Sequence, residues 1–296
     1  MLTKVIPFLF VILWSSGFIG AQYGLQFAEP ATFLFIRMCI SIIIFIPLLC
    51  IFNSVLPKGK DALHSFISGF LIHGLYLGGT YQAINLGMSS GLSALIVGIQ
   101  PILTAIILIS FQKQRLLFIQ WIGLSIGFIG ISLVVQGNMN WINTEHKYLA
   151  YGFAFIALFG ITLGTLYQKR YCKNTDLIGS TVWQYIAALL IFLPIALFKE
   201  NMAVTWNIQF IFGVMWLVLV VSVAAVLLLL YMIKQGSSSS VASIFYLVPP
   251  MTTLQAWIVF NEQFSLQEAI GFTLAAMAVY LVSRKSTPNL SKITIK

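Results

Sequence analysis

Arg37 is the residue with the most chemistry to offer, because it alone among the 16 Lys+Arg falls well inside a long apolar run, the stretch 31–52. Six residues into a helix corresponds to about 9 Å of depth. A guanidinium there costs about 2.5 kcal/mol or more on insertion scales, and its planar fork matches a carboxylate or a phosphate. Two roles are open for it: a two-pronged grip on a substrate anion, or a structural pin that snorkels to the interface or meets helix-end carbonyls. His73 comes next, in a run that also carries Tyr76, Tyr81, Gln82 and Asn85. A histidine at membrane depth is either a hydrogen-bonded structural residue or a proton carrier. Trp14, Gln100, Trp183, Gln184, Tyr185, Tyr231 and Tyr246 are the other polar or amphipathic groups in apolar runs. Together they describe an aromatic cavity with amide groups, suited to a small zwitterion or a ring-bearing metabolite, although each aromatic on its own also reads as packing.

What is missing narrows the chemistry further. Glu29, Asp61, Glu145, Asp176, Glu200, Glu262 and Glu268 all lie between apolar runs or at their ends. A buried-carboxylate proton relay is therefore disfavoured, which leaves His73, a rim carboxylate such as Glu29 or Glu262, or no proton coupling. The chain has no glycine-rich phosphate loop, no Cys/His metal spacing, no HExxH and no credible Ser/His/Asp grouping. The expectation is no catalytic residue, no cofactor and no metal. Cys39, Cys50 and Cys172 suggest no disulfide framework.

The elements that must position these groups follow from composition. Of 296 residues, 59% are hydrophobic and 8% charged, and the mean hydropathy is +0.97. Water-soluble domains keep about a quarter of their residues charged, so an ordinary soluble enzyme is excluded. A membrane span needs about 20 apolar residues, and the sequence predicts ten, at roughly 6–24, 31–52, 65–86, 91–111, 116–135, 149–168, 178–198, 211–232, 238–258 and 266–284. The first is read as a retained helix rather than a cleaved signal. Pro101 and Pro249 fall near the middle of the fourth and ninth spans. Proline removes a backbone donor and frees carbonyls, and at membrane depth those must pair inside the bundle or line a cavity. Paired breaks of this kind point to a transport site, with Pro101 and Pro249 as hinges; a packing kink is the plainer alternative. Gly20/Gly24, Gly74/Gly78, Gly123/Gly127 and Gly160/Gly164 are small-xxx-small pairs for close helix approach.

Charge orients the spans. With the N-terminus cytoplasmic, the inner segments carry Lys4, Lys58, Lys60, Lys113, Arg115, Lys169, Arg170, Lys173, Lys234, Arg284, Lys285, Lys292 and Lys296, against Lys147 and Lys199 outside. The positive-inside rule then puts both termini in the cytoplasm. The halves also repeat: Phe45-Ile46-Pro47 aligns with Phe192-Leu193-Pro194 at an offset of 147, which sets Arg37 against Gln184. At an offset of 148, Ser89-Ser90 matches Ser237-Ser238, Pro101 matches Pro249, Thr104 matches Thr252 and Gly123 matches Gly271. Five spans per copy is an odd number, so the second copy enters from the opposite face, as in alternating-access carriers.

The chain resembles the EamA family of the drug/metabolite transporter superfamily along essentially its whole length. The resemblance rests on Trp14-Ser15-Ser16-Gly17-Phe18, Glu29-Pro30 with Arg37, Gly91-Leu92-Ser93-Ala94-Leu95 leading to Gln100-Pro101, and Gln120-Trp121-Ile122-Gly123 leading to Gly127 and Gly130. In the second half it rests on Ser240-Val241-Ala242-Ser243 to Pro249, Glu262 and Ile270-Gly271. The family pattern has Glu after the fourth and ninth helices; Glu262 fits it and Gln114 departs from it. The resemblance implies ten helices, a central cavity, and carriage of amino acids or other small metabolites, commonly outward.

The expected fold is therefore an all-α integral membrane protein with ten transmembrane helices as two inverted five-helix EamA repeats. Residues 1–137 form the first repeat, 138–148 an outer linker, 149–285 the second repeat and 286–296 a cytoplasmic tail. The expected function is secondary transport of small organic metabolites across the inner membrane, by export, with Trp14, Arg37, His73, Tyr81, Gln82, Gln100, Trp183, Gln184 and Tyr246 facing substrate. The alternatives are an uptake permease or an exchanger for a metabolite or nucleotide-like compound, and a non-transporting sensor or assembly partner. The expected partners are a small-molecule substrate and the lipid bilayer, with a homodimer left open and nucleic acid excluded.

Overall fold

The computed structural model describes residues 2–112, 118–138, 146–228, 232, 247–261 and 265–283. Among these the chain is helical, and the one β-type pairing is a single antiparallel bridge between Ala28 and Val204. Helices α1 (Leu2–Gly24) and α2 (Pro30–Ile51) open the chain. The next rod begins as α3 (Gly59–Gly69), passes through a π-helical segment π1 (Phe70–Leu77) and ends as α4 (Gly78–Asn85). Then come α5 (Ser90–Gly98), α6 (Gln100–Gln112), α7 (Phe118–Asn138), α8 (Lys147–Tyr171) and α9 (Leu177–Lys199). A second composite rod runs from α10 (Ile208–Met215) into π2 (Trp216–Ala225). Last are α11 (Val248–Phe260) and α12 (Leu266–Ser283).

The helices Val5–Gly24, Pro30–Ile51, Lys147–Tyr171, Leu177–Lys199 and Ile208–Leu228 are long and apolar enough to cross a membrane, and shorter apolar helices accompany them. The protein is thus an integral membrane protein. Its surface agrees: on α2, Phe33, Arg37, Met38, Ser41 and Phe45 are buried while Ile43 and Ile46 are exposed. The outer face is at least as apolar as the inner one, as lipid requires. Some helices outlast the predicted apolar runs; α8, for example, covers 147–171 against 149–168, because helical hydrogen bonding continues past the hydrocarbon boundary. The first part of the predicted ninth span, 238–246, the turns at Lys113–Arg115 and Glu262, the linker 139–145 and the tail 286–296 lie outside the described residues.

Helix boundaries recur along the chain. Gly24 and Tyr171 end α1 and α8, and Pro30 and Leu177 begin α2 and α9, both pairs 147 apart. Gln100 and Val248 begin α6 and α11, 148 apart. The two π-helical segments occupy corresponding places in this register. Their packing corresponds too. A Cβ on Gly20 of α1 would come within 2.8 Å of Leu217 in π2, and a Cβ on Gly160 of α8 within 2.8 Å of the Tyr76 nitrogen in π1. Each glycine is where a helix from one half lies against the π segment of the other.

The α2–α9 pair is stitched at both ends. At one end, Glu200 accepts hydrogen bonds from the backbone of Ala31 (2.8 Å) and Thr32 (2.7 Å) and from the Thr32 hydroxyl (2.7 Å). It thereby caps α2, whose own N-cap residue Glu29 makes no side-chain cap. Glu29 instead accepts from the Asn201 nitrogen at 2.9 Å, and the Thr205 nitrogen donates to the Phe27 carbonyl at 2.9 Å. At the other end, the Val55 carbonyl lies so close to Gly179 that a Cβ would collide with it, and the Trp183 indole donates to the Pro57 carbonyl at 3.0 Å. Charge-assisted caps exceed ordinary ones in strength. Glu200→Ala is expected to cost about 2 kcal/mol of stability, read as a lower melting temperature of the purified protein, with Glu200→Gln in between. Equal melting of all three would show that the cross-cap carries no stability.

Candidate functional site

The middle of the bundle holds a buried polar network built around Arg37. Its residue is 4% exposed. One terminal nitrogen donates to the Tyr81 hydroxyl of α4 at 2.9 Å and the other to the Ser222 hydroxyl of π2 at 3.1 Å, while Nε has no partner. From α9, the Tyr185 hydroxyl donates to the Ser222 carbonyl at 3.4 Å. The His73 ring of π1 lies 4.9 Å from the Tyr185 ring and hydrogen-bonds Gln184. Gln184 in turn donates to the Ser180 hydroxyl at 3.3 Å, and Ser180 to Ser65 at 2.9 Å. Phe45 packs edge-on against Tyr185 at 5.3 Å and holds its ring in place.

Local structure explains the convergence. A π turn holds an extra residue, so the side chains beyond it are rotated by about 100° relative to a continuing α-helix. Such segments are rare and cluster at functional sites. Here π1 supplies His73 and π2 supplies Ser222, so both irregular stretches feed the network around Arg37, the one buried Lys or Arg among the described residues. Both terminal-nitrogen partners identified for Arg37 are neutral hydroxyls. A buried guanidinium without a carboxylate is the expensive arrangement.

A second feature is the break between α5 and α6, in the predicted fourth span. Its helix stops at Gly98 and restarts at Gln100, just before Pro101, and the Ile99 and Ile102 nitrogens bond three residues back instead of four. In the other half, Pro249 occupies the first turn of α11. The break lies against the start of α11, since a Cβ on Gly98 would come within 2.5 Å of the Pro249 ring. The starts of α6 and α11 are each tied to a hydroxyl of the helix that opens the other half. Ser15 of α1 donates to the Val248 carbonyl at 3.2 Å, and Gln100 donates to Thr165 of α8 at 2.9 Å.

Of the residues singled out in the sequence, Arg37, His73, Tyr81 and Gln184 come together. Gln82 is half-buried next to Tyr81, and Trp183 turns to the Pro57 linker; neighbours on a helix point about 100° apart, so neither can share its neighbour's direction. Gln100 belongs to the break rather than to the Arg37 network. Trp14 packs against the cluster that holds Phe18, Tyr76 and Val248. Tyr246 lies outside the described residues. Ser222 and Thr165 are additions; both read as small packing residues in apolar runs, and their only sequence signal is being polar there. All three cysteines are free thiols, and burial pushes the Cys172 thiol upward, away from the reactive thiolate.

An apolar helical bundle with a polar interior and interrupted helices defines a membrane transport protein rather than an enzyme. The chain belongs to the EamA-like transporter family, whose sequence profile matches residues 4–136 and 148–284. It is similar to the uncharacterized transporter YdfC of Bacillus subtilis (strain 168), 25% identical over 269 residues that cover 89% of this chain and 85% of YdfC. YvbV of the same organism, also called an uncharacterized transporter, is 25% identical over 93% of this chain and 90% of its own. The uncharacterized inner membrane transporter YedA of Escherichia coli (strain K12) is 21% identical over 93% of this chain and 89% of its own. One solved crystal structure shares the fold with a TM-score of 0.67 over 94% of each chain, at 15% identity.

Proposed function

We propose that this chain is a secondary transporter that moves small organic metabolites, amino acids and related compounds among them, out of the cell across the inner membrane by alternating access. On this reading ten spans form two inverted repeats, 1–137 and 149–285, joined by the outer linker 138–148, with both termini and the tail 286–296 in the cytoplasm. The observation that carries it is the recurrence of helix ends at offsets of 147 and 148, with the π segments in register. Two copies of an odd-numbered unit in one membrane run in opposite directions, and exchanging their conformations turns an inward-facing site outward. Arg37, His73, Tyr81 and Gln184 face the substrate, joined by Tyr185 and Ser222. Pro101 and Pro249 are the hinges where the broken helices bend.

The direct test compares the metabolites accumulated inside and outside cells with and without the protein, followed by flux of any differing compound in liposomes. A compound that leaves the cells only when the protein is present supports the reading; purified protein that moves no solute removes it. Inversion has its own test in single cysteines placed at Gln114 and Glu262. Labelling of the two from opposite faces is expected, and labelling from one face would eliminate the inverted arrangement.

A further inference from the structure

The Arg37 site has a charge deficit that specifies what completes it. The guanidinium is nine-tenths buried or more, its terminal nitrogens donate to the neutral hydroxyls of Tyr81 and Ser222, and its Nε has no partner. One helical turn further along the same face of α2, the buried Ser41 hydroxyl is also without a partner. The groups that close the site from the other helices, His73, Gln184 and Tyr185, are a ring, an amide and a phenol. Of the seven Asp+Glu of the chain, six fall outside the apolar runs and Glu268 lies at the start of the last one. From these observations we infer that the Arg37 site takes the carboxylate of an organic acid carrying a single net negative charge, gripped by Arg37 with the Ser41 hydroxyl beside it.

The charge arithmetic selects among ligands. An empty site holds one unbalanced positive charge. A monoanion brings it to zero, whereas a zwitterion leaves it at plus one and an amine raises it to plus two. A phosphate ester with two negative charges overshoots to minus one. In a water-poor interior only the balanced case avoids burying a net charge, and a carboxylate also satisfies the fork geometry of arginine. The inference rests on the transport reading for its setting and narrows that reading to monoanionic acids.

The test uses the full chain purified into lipid nanodiscs and two matched probe sets: pyruvate, alanine and alaninamide, and phenylpyruvate, phenylalanine and phenylalaninamide, with inorganic phosphate alongside. Thermal stabilisation at neutral pH is expected for at least one keto acid, at a concentration at least tenfold lower than for its amino acid, its amide or phosphate. That stabilisation is expected to fall at least tenfold in Arg37→Gln and several-fold in Ser41→Ala. Stabilisation by the amino acid, amide or phosphate equal to that by the keto acid would overturn the inference. So would no response to any probe in the wild type, or undiminished keto-acid stabilisation in Arg37→Gln. The comparison within the wild type stands even if a variant does not fold. Counterflow of the responding keto acid in liposomes separates the two claims. Binding without flux leaves the anion site and removes the transporter, whereas flux of uncharged or cationic compounds without keto-acid binding does the reverse.

Discussion

Arg37→Met is expected to give a protein that melts at a higher temperature than the parent and transports nothing. The two halves of that expectation come from the same geometry. Removing a guanidinium from membrane depth recovers about 2.5 kcal/mol or more of insertion cost, while the Tyr81 and Ser222 hydroxyls each lose a partner at about 1 kcal/mol. The net is a gain of about 0.5–1 kcal/mol, because methionine fills a similar volume without a charge. A structural pin predicts the opposite sign, since deleting a satisfied anchor lowers stability. Melting of the purified variant in the same detergent, read beside its flux, decides between them. A lower melting temperature would mark Arg37 as architectural, and retained flux would separate it from the substrate. Arg37→Lys is the companion: it keeps the charge but lacks the fork, so transport unchanged in that variant would remove the two-pronged grip.

Gly69→Ala is expected to be the most damaging single methyl in the bundle. A Cβ there would fall within 2.8 Å of three backbone atoms of Gln184. A side chain in the way could rotate, but a helix backbone cannot, so α3 and α9 would have to separate. Overpacking of a tight core costs about 1–3 kcal/mol, and the upper end applies where the obstacle is main chain. Because Gly69 immediately precedes π1 and its obstacle is Gln184, the same displacement pulls His73 and Gln184 apart. The expected result is a melting temperature lowered by about 3 kcal/mol worth of stability together with lost flux. Gly152→Ala is the internal control. Nothing lies within 4 Å of a Cβ at Gly152, so that change should be neutral or stabilise by about 0.5–1 kcal/mol. Equal effects of the two alanines would refute the close approach at Gly69.

The sequence carried the large-scale layout in its rarest residues. Apolar runs gave the helices, Pro101 marked the break at Ile99, and Arg37 stood out because it was alone among aliphatic neighbours. The π segments were not legible. Phe70–Leu77 and Trp216–Ala225 are apolar nearly all round, so no stripe exists whose period could distinguish a π turn from an α turn. Ser222 was hidden for a related reason: one hydroxyl in a run of Val and Ala reads as a packing residue until the fold sets it beside Arg37. Glu200 was hidden by distance along the chain. Glu29 precedes α2 in the position of a cap, yet the cap comes from a residue at the far end of α9, which local sequence rules cannot anticipate.

The stitching at both ends of α2 and α9 bears on which parts can move. Two rods tied together at each end, by Glu200 and Glu29 at one and by the Gly179 and Trp183 contacts at the other, behave as a frame. Arg37, Gln184 and Tyr185 are all mounted on that frame, so their mutual spacing is fixed. His73 and Ser222 are mounted on π turns, where an extra residue gives the backbone slack to shift register. Arg37 thus sits on the braced pair, while its neighbours His73 and Ser222 sit on the two π-helical segments.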